Sequence, residues 1–161
     1  MRGIFSLLRS SKGQSLIEFA LILPFLLVLI GGVVDFGLSL FVGHVIQNAA
    51  REGARAGAVL HPEGGSLPAI DGSCTVGNGS DCADNAVLAA AYQALPQNVG
   101  LLNDFTIESK FSAIPPPQRI EVTITGTYNW FILQLIFADP VTLSRSATMR
   151  WEWQHDTTPS P

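Results

Sequence analysis

The chain has 161 residues, with 9 basic and 13 acidic side chains, a formal net charge of -4 and a pI near 5.2. Hydrophobic residues make up 47% and charged residues only 14%, well below the roughly 25% charged content of ordinary soluble domains. This excludes a disordered chain, and the acidic balance without a basic patch excludes a nucleic-acid binder. Three scattered histidines (His44, His61, His155) and two cysteines do not make a zinc cage, and no cofactor-binding motif is present.

The charge is unevenly spread. Residues 1–13 hold Arg2, Arg9 and Lys12 without an acid, a charge of +3, whereas residues 14–161 hold 6 basic and 13 acidic side chains, a charge of -7. Between these regions lies FALILPFLLVLIGGVV, residues 19–34, with no charge at all. Leu16 to Val34 is 19 residues, and about 20 helical residues cross a hydrocarbon core about 30 Å thick. A single membrane span over about residues 16–37 follows, and Pro24 is tolerable within it. The basic flank predicts a cytoplasmic amino terminus and a body outside the membrane, in the periplasm or at the cell surface. The run is too long for the h-region of an ordinary cleaved signal peptide, about 7–15 residues, and has an acid at its start.

Glu18 is that acid, and a charge in an apolar span costs roughly 2–3 kcal/mol on insertion scales. If the chain is cut after Gly13, Gln14 becomes the first residue and Glu18 lies four residues on, on the same helix face. Its carboxylate can then pair with an α-amine, its own or a neighbour's, and suits the positive end of the helix dipole. Without such a partner, Glu18 reads as an acid snorkelling at the membrane edge.

The basic leader, the Gly13-Gln14-Ser15-Leu16-Ile17-Glu18-Phe19 segment and the long apolar helix after it resemble a type IV prepilin-like processing site. More narrowly, GQSLIEFALILPFLLVLIGGVVDFGLSLF followed by QNAAREGARAG resembles the TadE-like family, pseudopilins of the tight adherence (Flp) pilus system. The likeness is close from residue 13 to about 58 and weak again in VTLSRSATMRWE, residues 141–152. It implies that residues 1–13 are a leader which a prepilin peptidase removes after Gly13, exposing Gln14. It also implies that Glu18, in the Glu18-Phe19 pair typical of these pseudopilins, assists processing or assembly. Gln14 can cyclise once exposed, which would remove the amine that Glu18 would pair with. The sequence holds no Ser/His/Asp arrangement with motif context, no P-loop and no metal-ligand cluster, so the reading is a structural protein and not an enzyme. The implied partners are other pilin-like subunits, the pilus assembly machinery of the inner membrane, the prepilin peptidase and the lipid bilayer.

No helix breaker separates the span from QNAAREGARAGA, residues 47–58, so one helix is expected from Gln14 to Ala58, 45 residues or about 68 Å. Ala49, Gly53 and Gly57 repeat every four residues, as do Ala50, Ala54 and Ala58. Such a small-residue stripe lets another backbone approach closely. It fits packing against helices of other subunits and, as the favoured reading, packing under the chain's own sheet.

The remaining body, residues 59–154, reads as a small α+β domain in which an antiparallel sheet packs on helix. Residues 61–82, rich in Gly, Pro, Ser and Asp, read as a loop. Cys74 and Cys82 bracket seven residues that turn readily; in an oxidising compartment they can close a disulfide, and otherwise stand as two thiols. A helix over 86–95 is expected, capped by Asp81 or Asp84 and ended by Pro96. Period-two alternation predicts strands over 105–111, 119–125 and 141–152, with Pro115 to Pro117 as a stiff connector. WFILQLIF, residues 130–137, is too short to cross a bilayer and reads as core or as an exposed patch for the membrane surface or a partner. The tail, residues 155–161, reads as flexible. A rival to the pilin-like reading is an uncleaved signal anchor carrying an extracytoplasmic binding module.

Overall fold

The structure is a computed structural model that describes residues 11–61, 70–76, 82–95, 102–112, 118–135 and 139–152. The expected leader residues 1–10, the Pro115–Pro117 connector, Asp81 and the tail lie outside them. The architecture is α+β: a long amino-terminal helix, then a four-stranded antiparallel sheet that packs on it. The chain forms two compact units, residues 1–38 with 130–138, and residues 39–129 with 139–161.

Helix α1 runs Ser11–Ala58 with Pro24 inside it. It begins three residues before Gln14, so the Gly13–Gln14 bond lies within its first turn. Its burial pattern changes along its length. Residues 14–30 are exposed all round although almost all are apolar, the mark of a helix whose surroundings are not water. From Gly31 onward one face is buried, and Val42, Ile46, Ala49, Ala50, Gly53, Ala54, Gly57 and Ala58 recur at three- and four-residue steps. One helix thus joins an apolar rod to an ordinary amphipathic segment.

In the second unit, β1 (Gly72–Thr75), β2 (Leu102–Ser112), β3 (Arg119–Tyr128) and β4 (Val141–Arg150) form a meander in chain order. Strand β1 lies inside the segment expected to be loop. Four residues between glycine-rich stretches give too little alternation to read, and the strand forms by pairing Gly72 to Thr75 with Ser109 to Thr106 of β2. In β3, Ile120, Val122, Ile124 and Tyr128 are fully buried, while Arg119 and Glu121 face water. That alternation is what one covered sheet face requires. A bulge interrupts the β2–β3 ladder between Asn103 and Thr106, where Asp104 takes φ 49°. Aspartate is among the few side chains that tolerate this left-handed conformation.

Helix α2 (Ala86–Ala94) lies against α1 and the sheet through Val87, Leu88 and Ala91. Its cap is Asn85, not Asp81 or Asp84: the Asn85 carboxamide oxygen accepts the Val87 N–H at 2.9 Å, and its nitrogen donates to the Ile70 carbonyl at 2.9 Å. An amide can do both at once, whereas an ionised carboxylate only accepts. Leu95, immediately before Pro96, is extended (φ -79°, ψ 130°) and ends the helix. Trp151 closes the body at the far end of β4. Its indole N–H donates to the Leu60 carbonyl at 3.1 Å, and its ring meets Phe111 edge-on at 5.5 Å.

Candidate assembly segment and membrane anchor

The residues singled out at the start of the chain lie on the exposed part of α1. Gln14, Glu18 and Phe19 are all exposed, and the Gln14 side-chain amide donates to Glu18 Oε1 at 3.2 Å. The spacing of four that would bring Glu18 to a terminal amine here brings it to the Gln14 side chain. Around these residues, Leu16, Ile17, Leu21, Phe25 and Leu27 are each more than half exposed. Among the described residues, α1 is the one helix long and apolar enough to cross a membrane.

The small-residue stripe faces inward, onto the chain's own second unit. Ala49 is fully buried. A Cβ added to Gly53 would lie 2.8 Å from Ala91 Cβ and 3.1 Å from the Val87 carbonyl oxygen, and one on Gly57 would lie 3.0 Å from Val87 Cγ2 and 3.1 Å from Ile120. Glycine at both places sets how closely α1 approaches α2 and β3. Arg51, Glu52 and Arg55 occupy the outer face.

Cys74 of β1 and Cys82 are joined by a disulfide with their Cα atoms 5.4 Å apart, within the range this bond requires. Beside it, Asp71 accepts the Phe111 N–H and the Ser109 hydroxyl donates to the Ile70 carbonyl, so the polar groups of this corner hold the edge strand in place. A separate cavity of about 410 Å³ is lined by Leu40, Gly43, His44, Gln47, Arg51 and Arg145. Gln47 also donates to the Ser146 carbonyl at 3.0 Å, tying α1 to β4. Among the described residues, no group of three or more His, Cys, Asp or Glu side chains is placed to hold a metal ion.

The residue that the sequence reading passed over is Asp35. It is fully buried, and its carboxylate accepts three successive backbone N–H groups: Phe131 at 3.1 Å, Ile132 at 2.8 Å and Leu133 at 2.6 Å. These residues enter a 3₁₀ turn, Leu133–Leu135, whose first amides have no partner within the turn itself. The WFILQ stretch is therefore not core of the sheet domain: Phe131 is 71% exposed and the chain lies on α1 in the first unit. The available signal was an acid placed between two uncharged apolar runs.

The matched region of known proteins begins at Gly13 and ends at Arg55. Residues 13–55 match the TadE-like protein family. The TadE-like match lies wholly inside α1 and covers both the exposed apolar rod and most of the small-residue stripe. No curated protein and no solved structure matches the chain. A TadE-like segment and a candidate amino-terminal membrane helix together fit a pilus-related membrane protein with a single-pass anchor.

Proposed function

We propose that the chain is a pseudopilin-like structural subunit that takes part in assembly of a Flp-type, tight adherence pilus. The observation that carries this reading is the coincidence of the TadE-like match over residues 13–55 with a helix whose residues 14–30 are exposed and almost wholly apolar. Such a helix needs either lipid or other apolar helices around it, and a subunit moving from membrane to filament meets both. Arg2, Arg9 and Lys12 favour a cytoplasmic leader. The Cys74–Cys82 bond fits an oxidising, extracytoplasmic compartment for the body.

On this reading a prepilin peptidase cuts between Gly13 and Gln14, and residues 14–58 form the mature helix. Glu18 serves processing or docking, and the partners are other pilin-like subunits and the inner-membrane assembly machinery. The side chains have a packing and anchoring role, not a catalytic one. Mass spectrometry of the protein from cells with an active prepilin peptidase should find Gln14 as the first residue, free or cyclised. An intact leader under those conditions would overturn the proposal.

One observation favours a second reading, an uncleaved anchor bearing a binding module. The Gly13–Gln14 bond lies within a helix, a conformation that a peptidase must unwind before it can cut. Gly13→Ala separates the two readings. Retained leader with loss of pilus assembly supports the pilin-like subunit, and unchanged behaviour supports the permanent anchor.

A further inference from the structure

A carboxyl group at the end of an apolar span is costly unless its oxygens are satisfied. Irregular backbone beside lipid is costly unless its N–H groups are satisfied. Asp35 and the Phe131–Leu133 backbone solve both problems together, since one fully buried carboxylate takes three consecutive amides at 3.1, 2.8 and 2.6 Å. The contact has a shaped seat as well. Gly31, one turn before Asp35 on the same face, admits the Ile132 side chain so closely that a Cβ there would lie 2.5 Å from Ile132 Cγ2. At the next residue, Gly32, an added Cβ would stand in ordinary contact with Leu133, 3.8 Å from its Cδ2.

What this seat presents outward is apolar and aromatic. Trp130 to Leu135, WFILQL, contain no charge, and Phe131 is 71% exposed. From the same unit, Val33, Val34 and Phe36 of α1 are also exposed. The level along α1 is set by length. Leu16 to Val34 is 19 residues, about 28 Å at about 1.5 Å per residue, so Asp35 falls where a hydrocarbon core about 30 Å thick gives way to the headgroups. Tryptophan and other aromatic side chains collect at that level.

We infer that Trp130–Gln134, held on α1 by Asp35, is a second membrane contact that rests in the outer headgroup region of the bilayer beside the end of the span. The inference rests on the membrane-anchored reading of α1. Its occupant is lipid, because the patch is continuous with the exposed apolar surface of the span in the same unit and stands at the level where that span leaves the hydrocarbon core. Asp35 is a positioning residue here: it touches backbone, and the side chains it positions touch lipid.

The test uses the full chain reconstituted in vesicles of phosphatidylcholine and phosphatidylglycerol. Single cysteines are labelled with bimane at the loop tip (Phe131→Cys), in the middle of the span (Leu27→Cys) and on the outer face of the sheet (Thr148→Cys). Nitroxide-bearing phosphatidylcholine is the quencher. Phe131→Cys should be quenched most by nitroxide near the headgroup and Leu27→Cys most by nitroxide near the chain ends, while Thr148→Cys stays bright. A bright Phe131→Cys beside a quenched Leu27→Cys overturns the inference and leaves the anchor standing. A bright Leu27→Cys overturns both. A Phe131→Cys label that lipid does not quench but that is shielded from aqueous iodide marks a protein contact, and also overturns the inference. Asp35→Ala and the near-isosteric Asp35→Asn should each lower quenching at the loop tip severalfold, and unchanged quenching in both overturns the role of Asp35.

Discussion

Gly53 of α1 stands so close to Ala91 of α2 that a Cβ on the glycine would lie 2.8 Å from the alanine's own Cβ. Two helices meet there with almost no side chain between them, and Val122 of β3 closes the third side, 3.3 Å from the same point. Overpacking a site of this kind costs about 1–3 kcal/mol. Gly53→Val should therefore lower the melting temperature of the detergent-solubilised protein, by roughly 4–8 °C per kcal/mol for a body of this size. Gly37→Ala, where nothing lies within 4 Å of the added atom, should leave it nearly unchanged. Equal effects from the two substitutions would show that the close approach does not limit stability.

The disulfide ties the four-residue edge strand β1 to the turn before α2. A ring of this size contributes about 2.5 kcal/mol by restricting the unfolded chain. The double substitution Cys74→Ser with Cys82→Ser should lower unfolding stability by about that amount, and a reductant should lower wild-type stability equally. Denaturant titration with and without reductant checks it. A reductant effect that persists in the double variant would point to another cause.

Trp151 joins the end of β4 to the chain just beyond α1 through the Leu60 carbonyl, and to β2 through Phe111. Trp151→Phe keeps most of the buried ring and loses one hydrogen bond, leaving the Leu60 carbonyl to water or unpaired, at a cost of about 1 kcal/mol. Trp151→Ala removes the ring as well and should cost about 3–5 kcal/mol. The order of the two midpoints in urea is the check, and a Phe variant as weak as the Ala variant would assign the main effect to the N–H.

Glu18 lies on an exposed apolar surface with Gln14 as its hydrogen-bonding neighbour. Removing a charge from an apolar span makes insertion easier by roughly 2–3 kcal/mol, so Glu18→Leu should still enter the membrane. If the carboxylate serves docking, the variant should recover fewer pilin-like subunits on co-purification, while Glu18→Asp recovers an intermediate amount. Equal recovery from all three proteins would remove Glu18 from the docking surface.

The sequence carried much of this protein on its face, and the omissions have a common cause. The apolar helix was legible because a charge-free run of that length has few alternatives, and β2, β3 and β4 were legible from alternation along seven or more residues. Strand β1 was not, because four residues carry too little pattern and the strand exists through its pairing with β2. Nor was the cap of α2. Asp81, Asp84 and Asn85 are all good caps in isolation, and Asn85 is the one whose amide also reaches the Ile70 carbonyl, fifteen residues away in the chain.

By itself, then, the order of residues determined the long apolar helix, the uneven charge on its two sides and the longer strands, all properties of neighbouring residues that hydrophobicity and charge decide locally. The tertiary structure alone decided which surface the small residues cover, and that WFILQ leaves the core to lie on α1. Both outcomes turn on contacts between distant parts of the chain: Gly53 against Ala91, and Asp35 against backbone amides 96 to 98 residues away. Local patterns do not encode such meetings, because their energy appears only once the fold has brought the partners together.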